Sequence, residues 1–269
     1  MYPILYQAGD FILASWHVFF VLGAFAGWYA MQAIRVQVAP VLSASALDKL
    51  FVILYASGYF GARIFSILFE DPLTGIGDFF KGLVSFGSMT LYGGILAVTL
   101  VLIIYARRHD LTLRNLAALF GGPGLIAIGL GRIGCFLNGD DYGAPIPDQY
   151  APSWWTVQFP NLDDTLYRYP VQLWESAFGI LFGLMLIVCI RRFQGRALWA
   201  GDAAVLGYAG GRYVLEMYRG DERGQFFETP LSTSQGISLV VVVLWCAYRV
   251  LRTIQASRSR NLFIKKAGP

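Results

Sequence analysis

The chain has 269 residues, of which 56% are hydrophobic and only 14% are charged, and its formal net charge is +4. Soluble domains are about one quarter charged, so this composition excludes a soluble enzyme, a disordered protein and a secreted disulfide scaffold. Because a helix needs about 20 apolar residues to cross a bilayer, the long apolar blocks predict an all-α, polytopic integral membrane protein with about seven transmembrane helices.

The seven predicted spans follow one another with short connections. In chain order they are Ser15–Ile34, Leu47–Phe69, Met89–Tyr105, Leu113–Leu137, Val171–Ile190, Leu198–Tyr218 and Gln235–Leu251. Residues 1–269 are expected to form one transmembrane domain, with a basic cytoplasmic tail at 250–269. With the N-terminus outside, 14 of the 21 Lys and Arg residues lie in cytoplasmic segments and 4 in outer segments. The positive-inside rule therefore predicts an outer N-terminus and a cytoplasmic C-terminus.

The fourth span differs from the others because it contains Pro123 and repeated glycines within FGGPGLIAIGLGRIGCFLNG. Irregular helix at membrane depth is tolerated only against protein or a wet cavity, so we expect an irregular helix here. The three cysteines lie far apart and form no CxxC pair, and a metal site is not indicated. No cofactor and no nucleic-acid partner are expected.

Polar residues inside or at the edges of spans are the most informative, because membranes rarely contain them without a function. Those at the predicted outer starts of spans are His17, Tyr92, Gln172, Glu175 and Gln235. Those toward the outer ends are Arg63, Arg132, Asn138, Arg212, Glu216 and Arg219. All map to one side of the membrane, which predicts a single polar pocket toward the outer leaflet.

Three of these residues, Arg212, Glu216 and Arg219, have i, i+4, i+7 spacing, which predicts one helical face. Arg132 lies among glycines, an arrangement that allows a ligand to approach the backbone closely. Arginines in a partly desolvated cavity suit a phosphate, which guanidinium groups bind bidentately. A purely structural ion pair is the alternative for Arg212 and Glu216. The pair Asp140-Asp141 is expected to be an ordinary solvated loop, with a cation site as the alternative.

Several segments resemble, in order, those of the bacterial prolipoprotein diacylglyceryl transferase family. The signature-like segment is GRIGCFLNGDDYG, Gly131–Gly143. The others are GARIFSILF (Gly61–Phe69), SMTLYGG (Ser88–Gly94), RYPVQLWE (Arg168–Glu175), GYAGGRYVLEMYRGD (Gly207–Asp221) and SQGIS (Ser234–Ser238). The resemblance covers nearly the whole chain.

The resemblance implies transfer of the diacylglyceryl group of phosphatidylglycerol to the lipobox cysteine of a lipoprotein precursor, in the bacterial inner membrane with the active site toward the outer leaflet. It implies that Arg132 and Arg212 hold the phosphate and that Glu216 orients Arg212. It further implies that Asn138 and Gly143 shape the signature loop and that Tyr208 lines the pocket. The other residues predicted for substrate binding are Asp140, Arg219, Gly93, Gly94, Gln172, Glu175, Gln235 and Arg63.

Four positions depart from the family pattern. Tyr92 stands where many members have histidine, His17 where they often have tyrosine, Cys135 replaces an asparagine and Asp140 a glutamate. We therefore expect His17 or Tyr92 to act as the base, or no side-chain base to be needed. A divergent paralogue with another acceptor, and a lipid-binding or transport protein without catalysis, are the alternative functions.

Overall fold

The computed structural model describes residues 1–9, 11–69, 76–84, 91–147, 152–162, 164–193, 197–221 and 224–267. The predicted all-α class is confirmed. The elements, numbered along the chain, are β1 (Ile4–Ala8), β2 (Phe11–Ala14), α1 (Ser15–Val38), α2 (Ala44–Phe69), α3 (Ile76–Val84), α4 (Leu91–Arg108), α5 (Leu113–Asn138), α6 (Val171–Arg192), α7 (Ala197–Glu216) and α8 (Thr233–Ala267).

Each predicted span corresponds to one helix. Five helices (α1, α2, α5, α6 and α8) are long and apolar enough to cross a membrane within the described residues. The other two spans correspond to α4 and α7, and α7 carries three charged residues, Asp202, Arg212 and Glu216. The chain is thus a polytopic, all-α membrane protein.

Helix α5 is the central element and packs against α1, α6 and α7. It begins with a capping box between Thr112 and Asn115 and ends at Gly139, whose left-handed backbone (φ 86°) stops the helix. We expected an irregular helix around Pro123. This prediction is wrong, because one continuous helix, α5, runs through the residue. A proline inside a membrane helix is tolerated where neighbouring helices cover it, and Pro123 is fully buried.

Glycines bring the neighbours of α5 unusually close. A Cβ on Gly129 would lie 2.8 Å from the backbone oxygen of Ser176 in α6, and one on Gly134 would lie 2.8 Å from the Cα of Trp16 in α1. The prediction that glycines around Arg132 admit a ligand is therefore wrong for these two, because they admit helices. This packing fixes the Arg132 end of α5 against α1 and α6.

The N-terminal hairpin, β1 paired antiparallel with β2, is an element that hydropathy did not predict. The amide of Tyr2 donates to the carbonyl of Leu137 at 3.0 Å, so the hairpin is tied to the end of α5. Beyond α5, residues 139–147, 152–162 and 164–170 form irregular structure held by isolated bridges, of which Gly143 with Arg219 is one. These segments cover the end of the bundle at which Arg132 lies.

Candidate functional site

An ionic cluster lies where the C-terminal half of α5, the start of α6 and the end of α7 meet. Glu175 is its centre: Oε2 is 2.6 Å from Arg132 Nε, and Oε1 accepts a hydrogen bond from Arg212 Nη1. Arg212 Nη2 is 2.7 Å from Glu216 Oε2, the predicted i, i+4 contact. Glu175 and Glu216 are buried, so their charges depend on these guanidiniums for compensation.

A second layer of the cluster comes from the loops. Asp141 accepts hydrogen bonds from both Arg132 and Arg219, and Arg219 also donates from Nε to Asp221 Oδ1 at 2.9 Å. Burial alone would raise the pKa of Asp141, but Arg132 and Arg219 lower it below the ordinary value of 3.8. The expectation of an ordinary solvated loop is therefore wrong for Asp141, which belongs to the ionic cluster.

The prediction that Arg212, Glu216 and Arg219 share one helical face is wrong for Arg219. Helix α7 ends at Glu216, and the Arg219 amide donates to the Glu216 carbonyl in a tight turn. Arg219 nevertheless reaches the cluster from the loop side, because its strand-like bridge to Gly143 directs the chain back. The sequence thus predicted the right residue in the wrong backbone conformation.

The signature-like segment forms a loop that α6 supports. Gln172 is fully buried, and its Nε2 donates to the Asp140 carbonyl at 2.7 Å. The Asn138 side-chain amide donates to the Asp140 carboxylate. A Cβ on Gly143 would lie 2.1 Å from the carbonyl oxygen of Tyr169, so only glycine fits there. These contacts shape the loop that carries Asp141.

The start of α8 closes the cluster on another side. Ser232 Oγ donates to Glu216 Oε1 at 2.9 Å, and Arg212 Nη2 donates to Ser234 Oγ at 3.2 Å. Gln235 Oε1 accepts from the Ser232 amide at 3.1 Å, while Ser232 Oγ accepts from the Gln235 amide at 3.2 Å. Gln235 thus forms a capping box. The sequence reasoning missed Ser232, although a serine three residues before a glutamine at a span start is a recognisable capping signal.

An apolar cavity of about 520 Å³ lies between α5, α7 and α8 and adjoins the cluster. Its walls include the small residues Ala117, Gly121, Gly124, Ala204 and Ala209. Its polar lining residues are Tyr208, Arg212, Ser234 and Ser238. A narrower cleft, lined in part by Tyr208, Arg212, Arg132 and Glu175, adjoins it. Arg212 therefore belongs both to an apolar cavity and to the ionic cluster.

Other predicted residues lie away from these contacts or beyond what is described. His17 is exposed and stacks on Trp16, with ring centroids 4.3 Å apart. Arg63 Nε donates to the Gly82 carbonyl in α3 at 2.7 Å. The side chain of Tyr92 lies outside the described residues, although its backbone begins α4.

Gly93 and Gly94 pack α4 against α2, since a Cβ on either would lie within 3.0 Å of an α2 carbonyl. Cys135 lies beside the cluster, with its Sγ 3.8 Å from Arg132 Nη1. Of the residues predicted for the polar pocket, the structure thus brings Arg132, Glu175, Arg212, Glu216 and Arg219 into contact with one another.

Comparison with known proteins identifies the family of this chain. The family model described as prolipoprotein diacylglyceryl transferase matches residues 3–251. A phosphatidylglycerol–prolipoprotein diacylglyceryl transferase of Erythrobacter litoralis is 29% identical, over 89% of this chain and 85% of the relative. One of Brucella anthropi is 28% identical over 93% and 92% of the two chains. Because the family model spans nearly the whole sequence, the chain belongs to the prolipoprotein diacylglyceryl transferase family.

Proposed function

We propose that this protein transfers the diacylglyceryl group of phosphatidylglycerol to the lipobox cysteine thiol of lipoprotein precursors, with release of glycerol phosphate. The observation that carries the proposal is the double position of Arg212. The residue lines an apolar cavity and also belongs to a buried ionic cluster. A phospholipid has the same division between acyl chains and phosphate.

The cavity between α5, α7 and α8 suits the acyl part of the lipid. Its lining is almost wholly apolar, and small side chains such as Gly121 and Ala204 leave room between the helices. Burial of a hydrocarbon chain there would gain about 0.8 kcal/mol per CH₂ group relative to water. Because a membrane lipid already lies in hydrocarbon, we infer that the cavity orients the chain more than it binds it tightly.

The phosphate is assigned to Arg132 and Arg212, which the Glu175 carboxylate bridges. The thiol sulfur attacks the glycerol carbon that bears the phosphate, a thioether forms, and the carbon–oxygen bond breaks toward the phosphate. Guanidinium donors stabilise the charge that the leaving glycerol phosphate gains. Glu216 keeps the Arg212 guanidinium in place through its 2.7 Å contact, and Tyr208 lines the passage to it.

The remaining assignments follow from position. Asn138, Asp140, Gly143 and Gln172 shape the loop above the phosphate, and Arg219 fixes this loop through Asp141. Gln235 acts through the capping of α8. His17 and Tyr92 stay predictions for the base. Unchanged turnover of both His17→Ala and Tyr92→Phe across the pH range would exclude them.

The orientation is also part of the proposal. The excess of basic residues in alternate loops favours an N-terminus on the outer side of the bacterial inner membrane. Arg132 and Arg212 then lie toward the outer leaflet, where a precursor anchored by its signal peptide presents its cysteine. The basic tail, residues 250–269, lies at the cytoplasmic surface, where anionic lipids attract it.

A transfer assay with purified protein tests the function. Vesicles of phosphatidylglycerol and a lipobox peptide should give a peptide whose mass increases by one diacylglyceryl group, joined through a thioether. A peptide with serine in place of the cysteine should not react. Arg252→Lys, an exposed change on α8, serves as the matched control for Arg212→Lys and should leave transfer unchanged.

Complementation separates the alternatives. The gene should rescue a bacterium depleted of its own transferase, and Arg212→Lys should not. If well-expressed protein neither rescues nor lipidates the peptide, the proposal is wrong. Consumption of phosphatidylglycerol without peptide modification would instead indicate another acceptor, and lipid binding without consumption would indicate a protein that only binds lipid.

A further inference from the structure

Arg168 is a buried arginine outside the ionic cluster. It is the first residue of RYPVQLWE, the segment whose Gln172 and Glu175 belong to the candidate site, and it lies three residues before α6 begins at Val171. Its side chain is only 8% exposed. Because burial of a guanidinium is costly unless its donors meet fixed acceptors, the partners of Arg168 indicate what the residue holds in place.

The backbone of Arg168 joins two loops. Its amide donates to the Val157 carbonyl at 2.8 Å, and its carbonyl accepts from the Val157 amide at 3.1 Å. On the other side Arg168 forms a bridge with Pro145, next to which the Tyr169 amide donates to the Ala144 carbonyl at 3.2 Å. Arg168 is therefore the middle of three paired segments, and its backbone is fixed on both sides.

The side chain of Arg168 reaches the loop that carries Asp141. Its Nη1 donates to the Gly143 carbonyl at 3.3 Å, and its guanidinium carbon lies 4.9 Å from the centre of the Tyr142 ring, a cation–π contact. Its Nη2 donates to Asp164 Oδ2 at 2.6 Å. The guanidinium thus contacts the two residues that directly follow Asp141 in the chain.

The same loop brings Asp141 to the ionic cluster. The Asp141 carboxylate accepts hydrogen bonds from Arg132 and Arg219. The carbonyl of the next residue, Tyr142, accepts from the Gly220 amide at 3.0 Å. Asp141 can thus remain on Arg132 only while residues 141–143 keep their position. A displacement of about 1 Å in a positioning contact can lower a rate about 100-fold.

We propose that Arg168 is a positioning residue for the transfer. By holding Tyr142 and Gly143 it keeps Asp141 on Arg132, and Asp141 in turn keeps the Arg132 guanidinium in the orientation that receives the lipid phosphate. Arg168 acts through this loop and not by contact with the substrate. The inference rests on the proposed function, because it uses the phosphate position that is assigned there to Arg132.

A double-mutant cycle of Arg168→Gln with Asp141→Asn in the full-length protein tests this role. The readout is kcat/KM for phosphatidylglycerol vesicles in lipobox-peptide transfer. Arg168→Gln should lower this value about tenfold. In the Asp141→Asn background the same change should lower it less than about twofold, because the contact through which Arg168 acts is already lost. Arg192→Gln, an exposed change at the other end of α6, should match its parent protein in both backgrounds.

Two results separate positioning from mere stabilisation of the fold. A residue that only stabilises the fold would lower kcat/KM by the same factor in both backgrounds, and it would lower kcat alone, through loss of active protein. Arg168→Gln should instead raise KM for phosphatidylglycerol at least about threefold and leave KM for the peptide unchanged, because Arg132 is on the phosphate side. Equal losses in the two backgrounds, an unchanged KM for the lipid, or wild-type kcat/KM in Arg168→Gln would overturn the proposal.

Arg168→Lys covers the case in which Arg168→Gln does not fold. A lysine keeps a positive charge beside Asp164, but its ammonium cannot also bind the Gly143 carbonyl and lie flat on Tyr142. It should lower kcat/KM about threefold, the equivalent of one weak cation–π contact, and Asp141→Asn should remove this difference. A loss that persists in Asp141→Asn, or no loss, would overturn the proposal. Failure of the proposed function would look different, because the wild type would then not modify the peptide.

Discussion

The bundle carries an ionic cluster at each end of α5, and one of them borders the apolar cavity between α5, α7 and α8. At the start of α5, Asp202 of α7 binds Arg114 at 2.6 Å and Arg249 of α8 at 3.3 Å, and it accepts from the indole of Trp245. Arg132 lies about 27 Å away along the helix, in the cluster that borders the apolar cavity. Both clusters join α5, α7 and α8, so ionic pairing alone does not mark a functional site.

The two clusters also differ in burial. Arg114, Asp202 and Arg249 of the first cluster lie partly exposed, whereas Glu175, Glu216 and Arg219 of the second are buried. A partly exposed cluster near the basic end of α8 is suited to hold helices together. A buried cluster that borders an apolar cavity is suited to contact a lipid substrate.

The largest contrast is expected from matched arginine changes. Arg212→Lys should lower transfer about 100-fold, because a lysine cannot bridge Glu175, Glu216 and Ser234 as the planar guanidinium does. Arg114→Lys at the other end should change turnover less than about twofold. Initial rates of peptide lipidation measure both. Equal losses in the two variants would remove the distinction between the clusters.

A smaller loss is expected from the loop over the cluster. Gly143→Ala should lower transfer about tenfold, because its Cβ would lie 2.1 Å from the Tyr169 carbonyl and displace the loop that carries Asp141. Gly210→Ala in α7 is the control, since nothing lies within 4 Å of its added Cβ. The same rate assay applies, and an unaffected Gly143→Ala would show that the loop conformation does not matter for turnover.

Asp202→Asn should affect stability and leave catalysis intact. The change leaves Arg114 and Arg249 without their carboxylate, and because both are partly exposed we expect a loss of about 1 kcal/mol in the free energy of unfolding. Unfolding in detergent measures this loss, and kcat/KM of the folded protein should stay within about twofold of wild type. A large fall in kcat/KM would give this end a catalytic role.

The smallest effect concerns acid stability. Because the pKa of Asp141 in the folded protein is lowered below 3.8, its contribution is fully present above pH 3.8 and is lost as the pH falls through the folded-state pKa. Asp141→Asn should remove the part of the acid destabilisation that lies below pH 3.8. Unfolding curves of the two proteins between pH 5 and pH 2.5 check this, and identical acid dependence would contradict it.

Hydropathy was sufficient for the positions of the seven spans but missed the short helix α3. Helical spacing was sufficient for the pair of Arg212 with Glu216. The same spacing failed for Arg219 because α7 ends at Glu216, and a chain reversal placed this residue by a loop bridge. Asp141 looked like its neighbour Asp140 in the sequence. Only the left-handed turn at Asp141 (φ 57°) and the Gly139 helix end direct it toward the arginines.

Other features depend on partners that a linear pattern does not show. Helix α8 continues beyond the predicted end at Leu251 to Ala267. The arginines and lysines after Leu251 end the apolar span, but these residue types favour a helical backbone. The pairing of β1 with β2 likewise escaped a search for membrane spans. The central place of Glu175 could not be predicted, because it depends on three arginines brought together by tertiary packing.

Photolabelling tests most directly the claim that Arg212 joins an acyl cavity to a phosphate site. A phosphatidylglycerol with a photoreactive acyl chain should label cavity residues such as Val205 and Val241, and Arg212→Lys should abolish this labelling. Labelling of Leu181, an exposed residue of α6, should be the same in both proteins, because it reports bulk lipid. Equal labelling of all three residues, unaffected by Arg212→Lys, would contradict the account.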